Sequence, residues 1–123
     1  MSDAATLEVA SSLRQGKVMD IEFLYWEDCP SHERALELLR QVLRDASLPD
    51  TVRIVEIETD EEAEELMFPG SPTIRVNGVD IEPDVDDVVV GLTCRAYRDS
   101  GGKISPLPPR ELIVRAVDAA RNS

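Results

Sequence analysis

Apolar and polar positions recur with two different periods along the chain, and each change of period marks a new element. Residues 19–26 begin in alternation and become continuously apolar, which predicts a strand covered on both faces. Over residues 31–46 the apolar positions follow helical spacing, which predicts a helix with one buried face. Residues 52–57 predict a second strand, and the acidic run within residues 59–67 predicts a short capped helix.

The second half of the chain predicts a hairpin, an insertion and a final helix. Asn77-Gly78 stands between two alternating apolar pairs, the strongest short signal for a hairpin. Residues 83–108 form the predicted insertion, and a helix is predicted from Pro109 onward.

The expected architecture is α/β: one domain over residues 19–123 with a mixed four-stranded sheet and helices on both faces. Residues 1–18 form an N-terminal extension, in which residues 4–14 loosely match a short helix.

Length and charge narrow the classes of function. The chain has 123 residues, enough for one domain, and its 25 acidic against 13 basic residues give a formal charge of −12. This charge disfavours nucleic acid as a partner and is typical of a soluble protein. No secretory signal and no apolar run long enough to span a bilayer is found, so a cytoplasmic location without membrane contact is expected.

The first chemical candidate is the junction between the first strand and the first helix. Cys29 follows the strand, and Pro30 suits a first helical turn, so the sulfur is expected at the helix N-terminus with free N–H groups to bind. The neighbouring acids Glu27 and Asp28 oppose a thiolate there. The alternative is a small buried apolar residue. His32 is expected either to assist the thiolate and move protons or to be a solvated residue of the first turn.

The second candidate is the proline before the hairpin. Pro72 follows Gly70-Ser71 and is a candidate for a cis bond, which would expose the backbone of Ser71 for pairing with an extended substrate. The alternative is an ordinary trans proline at the start of a strand. Trp26, Ser71 and Pro72 are the expected substrate-binding residues.

The other cysteine has three interpretations. Cys94 is a partner that closes a disulfide with Cys29, a second soft ligand for a thiophilic metal, or a buried strand residue. Two cysteines do not make the structural disulfide framework of a small secreted protein, so in a reducing compartment they are expected to rest as thiols or to serve chemistry. The acidic residues of the 80–87 segment lack the glycine and the distal glutamate of a calcium loop, so a solvated face is expected there and not a metal site. Thiol chemistry at Cys29 requires no cofactor, and none is expected.

With these motifs identified, the chain resembles the thioredoxin-like superfamily over residues 20–82 and in its C-terminal helix. It is similar to a subgroup of small bacterial proteins that often carry the label thioredoxin family protein or alkylmercury lyase. The residues that carry the resemblance are Phe23-Leu24-Tyr25-Trp26, Cys29-Pro30-Ser31-His32, Gly70-Ser71-Pro72-Thr73-Ile74, Val76-Asn77-Gly78 and the late Cys94-Arg95-Ala96-Tyr97.

The resemblance implies that Cys29 is the nucleophile and that Pro72 is the cis-proline beside it. His32 stands where dithiol members of the superfamily have a second cysteine, so either Cys94 resolves the mixed disulfide or the protein works as a monothiol. The lyase label implies thiols that cleave a carbon–mercury bond with a proton from an acid, for which Cys29, Cys94 and Asp28 are the candidates.

Three hypotheses of function result. The leading one is a thiol–disulfide oxidoreductase that uses Cys29 on a thiol or disulfide of a protein or small molecule. The second is a protein that binds a soft metal or an organomercurial through Cys29 and Cys94, with or without cleavage. The third is a non-catalytic adaptor of the same fold whose contact surface is the 83–108 insertion. The oligomeric state and the physiological substrate are left open.

Overall fold

A computed structural model describes residues 19–82, 90–99 and 101–122 of the chain. The predicted N-terminal extension, its loose helix and the first part of the predicted insertion lie outside the described residues. Among the described residues, no helix has the length and the apolar composition that crossing a membrane requires. The elements are β1 (Ile21–Tyr25), α1 (His32–Asp45), β2 (Val52–Glu56), α2 (Asp60–Glu65), β3 (Thr73–Val76), β4 (Val79–Asp80), β5 (Tyr97–Arg98), β6 (Ile104–Ser105) and α3 (Arg110–Arg121).

The first four strands form one mixed sheet in the order β2-β1-β3-β4. Strand β1 pairs in parallel with β2, with Ile21 opposite Val52, and antiparallel with β3, with Ile21 opposite Val76. The parallel pair is joined through α1, since a parallel connection needs a crossover. The prediction of a mixed four-stranded sheet is confirmed. Strands β5 and β6 form a separate two-stranded sheet within the predicted insertion.

The sheet separates two apolar clusters because successive strand residues point to opposite faces. Phe23 belongs to the larger cluster, which includes buried residues of α1 and α3. Its neighbour Leu24 belongs to a smaller cluster with Ile57, Ala63 of α2 and Phe68. Helix α2 therefore lies on the face of the sheet opposite α1 and α3, as the sequence predicts.

Local signals in the sequence also fix the ends of elements. Thr59 Oγ1 accepts a hydrogen bond from the Glu62 amide at 3.1 Å, and the Glu62 carboxylate accepts one from the Thr59 amide at 3.3 Å. This capping box starts α2. Between β3 and β4, Asn77 and Gly78 have φ values of 53° and 82°, as the tight turns of hairpins require.

Candidate dithiol site

Cys29 lies in the turn that follows β1, and this turn directs its sulfur into the protein. The Cys29 amide donates to Trp26 O at 3.0 Å, and the residue has 0% of its surface exposed. Helix α1 begins only at His32, and the Cys29 sulfur donates a hydrogen bond to Ser71 O at 3.4 Å. The prediction that the sulfur binds free N–H groups at the N-terminus of the helix is therefore wrong, because the sulfur instead donates to a carbonyl oxygen of the cis-proline loop.

The cis-proline is where the sequence predicts it. The Ser71–Pro72 peptide bond is cis, and the carbonyl oxygen of Ser71 accepts a hydrogen bond from the Cys29 thiol. The Trp26 amide donates to Ser71 Oγ at 3.0 Å. Two hydrogen bonds thus join the turn after β1 to the loop that holds the cis bond, and the proximity of Cys29 to Pro72 is confirmed.

The backbone of Ser71 is already paired within the chain. Its amide donates to Thr93 O at 2.7 Å, and its carbonyl oxygen accepts the Arg95 amide at 2.8 Å, which makes a parallel bridge between Ser71 and Cys94. Ser71 has 0% of its surface exposed. The prediction that the Ser71 backbone is free to pair with a substrate is wrong, because residues 93–95 occupy that edge.

This bridge brings the second cysteine to the first. Ser71 O binds both the Cys29 sulfur and the Arg95 amide, so one carbonyl joins the two cysteine-bearing segments. Both cysteines are free thiols, and Cys94 is exposed whereas Cys29 is buried. Cys94 is therefore not the buried strand residue that was one of its three interpretations.

The pKa of the Cys94 thiol is raised. Loss of solvent around the sulfur is the largest cause, followed by a hydrogen bond with Cys29 and the charge of Cys29. Each of these disfavours a thiolate at Cys94. The accessible thiol of the pair consequently has a smaller thiolate fraction at neutral pH than an isolated cysteine.

Gly70 permits the close approach of the two segments. Its φ is +129°, and a Cβ atom added there would lie 3.2 Å from the Arg95 backbone and 3.3 Å from Thr93 Cγ2. Only glycine suits both the conformation and the spacing. Sequence reasoning used Gly70 only as part of the motif before Pro72 and missed this role, because the contact partners lie far along the chain.

Buried polar side chains surround the cis-proline. Ser71, Thr73 and Arg95 are the buried polar or charged residues of the described chain. Arg95 forms an ion pair with Asp80 at 2.8 Å, and Tyr97 is also buried. Sequence reasoning missed the roles of Thr73, Arg95 and Tyr97, although the last two belong to the Cys-Arg-x-Tyr motif.

Two predicted site residues have other contacts. The half-buried His32 ring stacks on Tyr25 with centroids 4.6 Å apart and an interplanar angle of 27°. The half-buried Trp26 side chain packs against the smaller apolar cluster. The catalytic role of His32 and the substrate-binding role of Trp26 stay predictions.

The two thiols have no further metal ligands beside them in the described part of the chain. Among residues 19–82, 90–99 and 101–122, no group of three or more His, Cys, Asp or Glu side chains could hold a metal ion. Asp80, one of the acids in the 80–87 segment, pairs with Arg95. Two neighbouring thiols are the kind of ligand that a soft ion prefers.

Comparisons with protein-family models, with curated proteins and with solved structures find no match to this chain.

Proposed function

We propose that this protein is a thioredoxin-like thiol–disulfide exchange protein whose redox pair is Cys29 and Cys94. One observation carries the proposal. Cys94 forms a parallel β-bridge with Ser71, and the carbonyl oxygen of Ser71 accepts a hydrogen bond from the Cys29 thiol. The mixed sheet and the cis-proline beside a cysteine support the thioredoxin-like assignment. Two free thiols suit a reducing compartment such as the cytoplasm.

The separation of the two segments suits a disulfide. Paired strands lie about 4.8 Å apart, so the Cys94 backbone runs beside Ser71 at this spacing. The Cys29 sulfur donates to the carbonyl oxygen of Ser71, the same oxygen that accepts the Arg95 amide, so both cysteines lie next to this carbonyl. A disulfide needs Cα atoms about 4.4–6.8 Å apart, and small shifts of the exposed residue Cys94 can supply this distance.

Exposure favours Cys94 as the thiol that meets the substrate. The Cys94 thiolate attacks one sulfur of a substrate disulfide, and the other substrate sulfur leaves as a thiolate that takes up a proton. The Cys29 thiolate then attacks the Cys94 sulfur, and the second substrate thiolate leaves. The substrate disulfide is reduced to two thiols, and the protein is oxidised to an intramolecular disulfide.

The resemblance to the thioredoxin-like superfamily implies the opposite order, in which Cys29 attacks the substrate first and Cys94 resolves the mixed disulfide. With Cys29 as the first nucleophile, residues 93–95 must leave Ser71 to admit the substrate. This step breaks two backbone hydrogen bonds, at Thr93 O and at the Arg95 amide. Cys94 then returns as the resolving thiol.

Trapping with glutathione disulfide tests the proposal and assigns the order. Cys29→Ser is expected to accumulate a mixed disulfide with glutathione at Cys94, whereas the wild type releases both glutathiones and forms an internal disulfide. Cys94→Ser is expected to react slowly because Cys29 is buried. Intact-protein mass spectrometry under native conditions measures each adduct over time.

Two outcomes would contradict parts of this scheme. Rapid adduct formation by Cys94→Ser, with none by Cys29→Ser, would restore Cys29 as the first nucleophile. A wild-type adduct as persistent as that of Cys29→Ser would contradict the redox pair itself and would favour the adaptor hypothesis.

The adjacency of the thiols also favours a second candidate function, the capture of a two-coordinate soft ion or organomercurial. Mass spectrometry after exposure of the reduced protein to mercuric ion tests it. A one-to-one adduct that resists competing glutathione only when both cysteines are present supports capture. Equal retention by either single-cysteine variant would contradict it.

A further inference from the structure

We propose that Arg95 is a positioning residue that holds Cys94 beside Cys29 and thereby sets the reduction potential of the pair. The inference rests on the proposed function and adds a buried anchor on the segment that carries Cys94. Arg95 follows Cys94 directly, and its side chain is only 5% exposed. Cys94 itself belongs to no strand of the main sheet, since its bridge to Ser71 is an isolated one.

The Arg95 guanidinium joins three parts of the molecule. Its Nη1 atom lies 2.8 Å from Asp80 Oδ2 on β4 and 3.3 Å from Thr73 Oγ1 on β3. The same nitrogen lies 3.2 Å from the Tyr97 hydroxyl oxygen, and Arg95 Cζ lies 4.7 Å from the Tyr97 ring centroid. The arginine therefore fixes its own segment to the sheet edge.

Tyr97 extends the anchor to the cis-proline. Its hydroxyl donates to Pro72 O at 2.6 Å, and the residue is 1% exposed. Burial is the main reason that the pKa of Tyr97 is raised, so the hydroxyl stays a donor at ordinary pH. Arg95 and Tyr97, which follow Cys94 in the chain, are thus both hydrogen-bonded to the cis-proline loop and the start of β3.

The anchor affects redox equilibrium through effective concentration. In the reduced protein, nothing covalent holds Cys94 at Cys29, so the fixed Arg95 keeps the two sulfurs together before the bond forms. In the oxidised protein the disulfide itself supplies that constraint. Loss of the anchor therefore weakens the disulfide relative to the dithiol, and the potential rises.

Equilibration with glutathione buffers measures this effect on the full chain. Arg95→Met is expected to lower the equilibrium constant for the internal disulfide about tenfold, which corresponds to about 30 mV for a two-electron couple. Tyr97→Phe removes only the hydroxyl and is expected to give a smaller decrease of the same sign. If Arg95→Met does not fold, the equilibrium constant for the internal disulfide in Tyr97→Phe tests the proposal alone.

A stability-matched control separates positioning from general destabilisation. Ile113→Ala opens a cavity in the larger cluster, to which Tyr97 also belongs, and removes none of the hydrogen bonds of Arg95 or Tyr97. It destabilises both redox states alike and is expected to keep the wild-type equilibrium constant. Wild-type constants in folded Arg95→Met and in Tyr97→Phe would overturn the proposal, as would an equal decrease in Ile113→Ala.

Amide hydrogen exchange in the reduced protein keeps the two proposals distinguishable. Arg95→Met and Tyr97→Phe are expected to speed exchange at the amides of Ser71 and residue 95, whereas Ile113→Ala leaves their ratio to other amides unchanged. A wild type that forms no internal disulfide would overturn the proposed function and the effect on potential, whatever the exchange shows. A wild-type disulfide with unchanged exchange in both anchor variants would overturn the positioning role alone.

Discussion

The two ends of strand β3 satisfy their polar groups in opposite ways. At the turn end, Asn77 and Asp20 exchange backbone and side-chain hydrogen bonds at the surface, and Arg53 pairs with Asp20 and Glu22 while 58% exposed. At the cis-proline end, Ser71, Thr73 and Arg95 are all buried. Ser71 there pairs with Thr93 and Arg95, and Arg95 pairs with Asp80.

The contrast indicates which end of β3 contributes more to the free energy of unfolding. An exposed ion pair gains little because water screens it and competes for its groups. A buried polar group that loses its partner retains its full desolvation cost. Substitutions at the cysteine end should therefore be costly and should alter the redox pair, whereas those at the turn end should be tolerated.

The largest loss of stability is expected at the buried arginine. Arg95→Ala removes the partner of Asp80 and opens space beside Tyr97, and it should lower the free energy of unfolding by about 3 kcal/mol. Urea unfolding of the reduced protein measures this. A midpoint equal to that of the wild type would mean that the pair between the buried Arg95 and the half-buried Asp80 contributes nothing.

A smaller loss is expected from crowding at the bridge. Gly70→Ala introduces a Cβ against the Arg95 backbone at an unfavourable φ, and it should destabilise by about 2 kcal/mol. Gly91→Ala is the matched control, since no atom lies within 4 Å of the added Cβ. Equal unfolding midpoints for the two variants would contradict the close approach of residues 93–95.

The pH dependence of alkylation probes the thiol pair directly. Because the pKa of Cys94 is raised, its labelling should accelerate at higher pH than that of the same cysteine in the unfolded protein. Cys29→Ala removes two of the three causes and should move the profile to lower pH without restoring the unfolded one, since desolvation remains. An unchanged profile would mean that the thiols do not interact.

The smallest effect is expected at the turn end. Arg53→Met removes an exposed arginine that contacts Asp20 and Glu22, and the urea midpoint should not change measurably at physiological salt. A loss as large as that of Arg95→Ala would contradict the distinction between the two ends of β3.

The same contrast separates what the sequence predicts from what it does not. The Asn77-Gly78 turn and the Thr59 cap depend on neighbouring residues, so local patterns identify them. The cis bond at Pro72 was also predicted, from the motif in which it stands.

Residues 93–95 covering Ser71 could not be predicted. The pairing depends on tertiary contacts between segments that no hydrophobic periodicity relates. An arginine is usually exposed, so nothing in the sequence indicates that Arg95 is buried. The burial of Cys29 was missed for the same reason, since the covering residues come from a segment far along the chain. The burial of Cys29 beside an exposed Cys94 follows from these tertiary contacts.

The most direct test of the account is the state of the two cysteines after mild oxidation of the folded, reduced protein. Peptide mapping without reduction is expected to find the Cys29 and Cys94 peptides joined by a disulfide, in a monomer that has lost two hydrogen atoms. Two free thiols, or dimers linked through Cys94 with Cys29 still reduced, would contradict the claim that these cysteines form one redox pair.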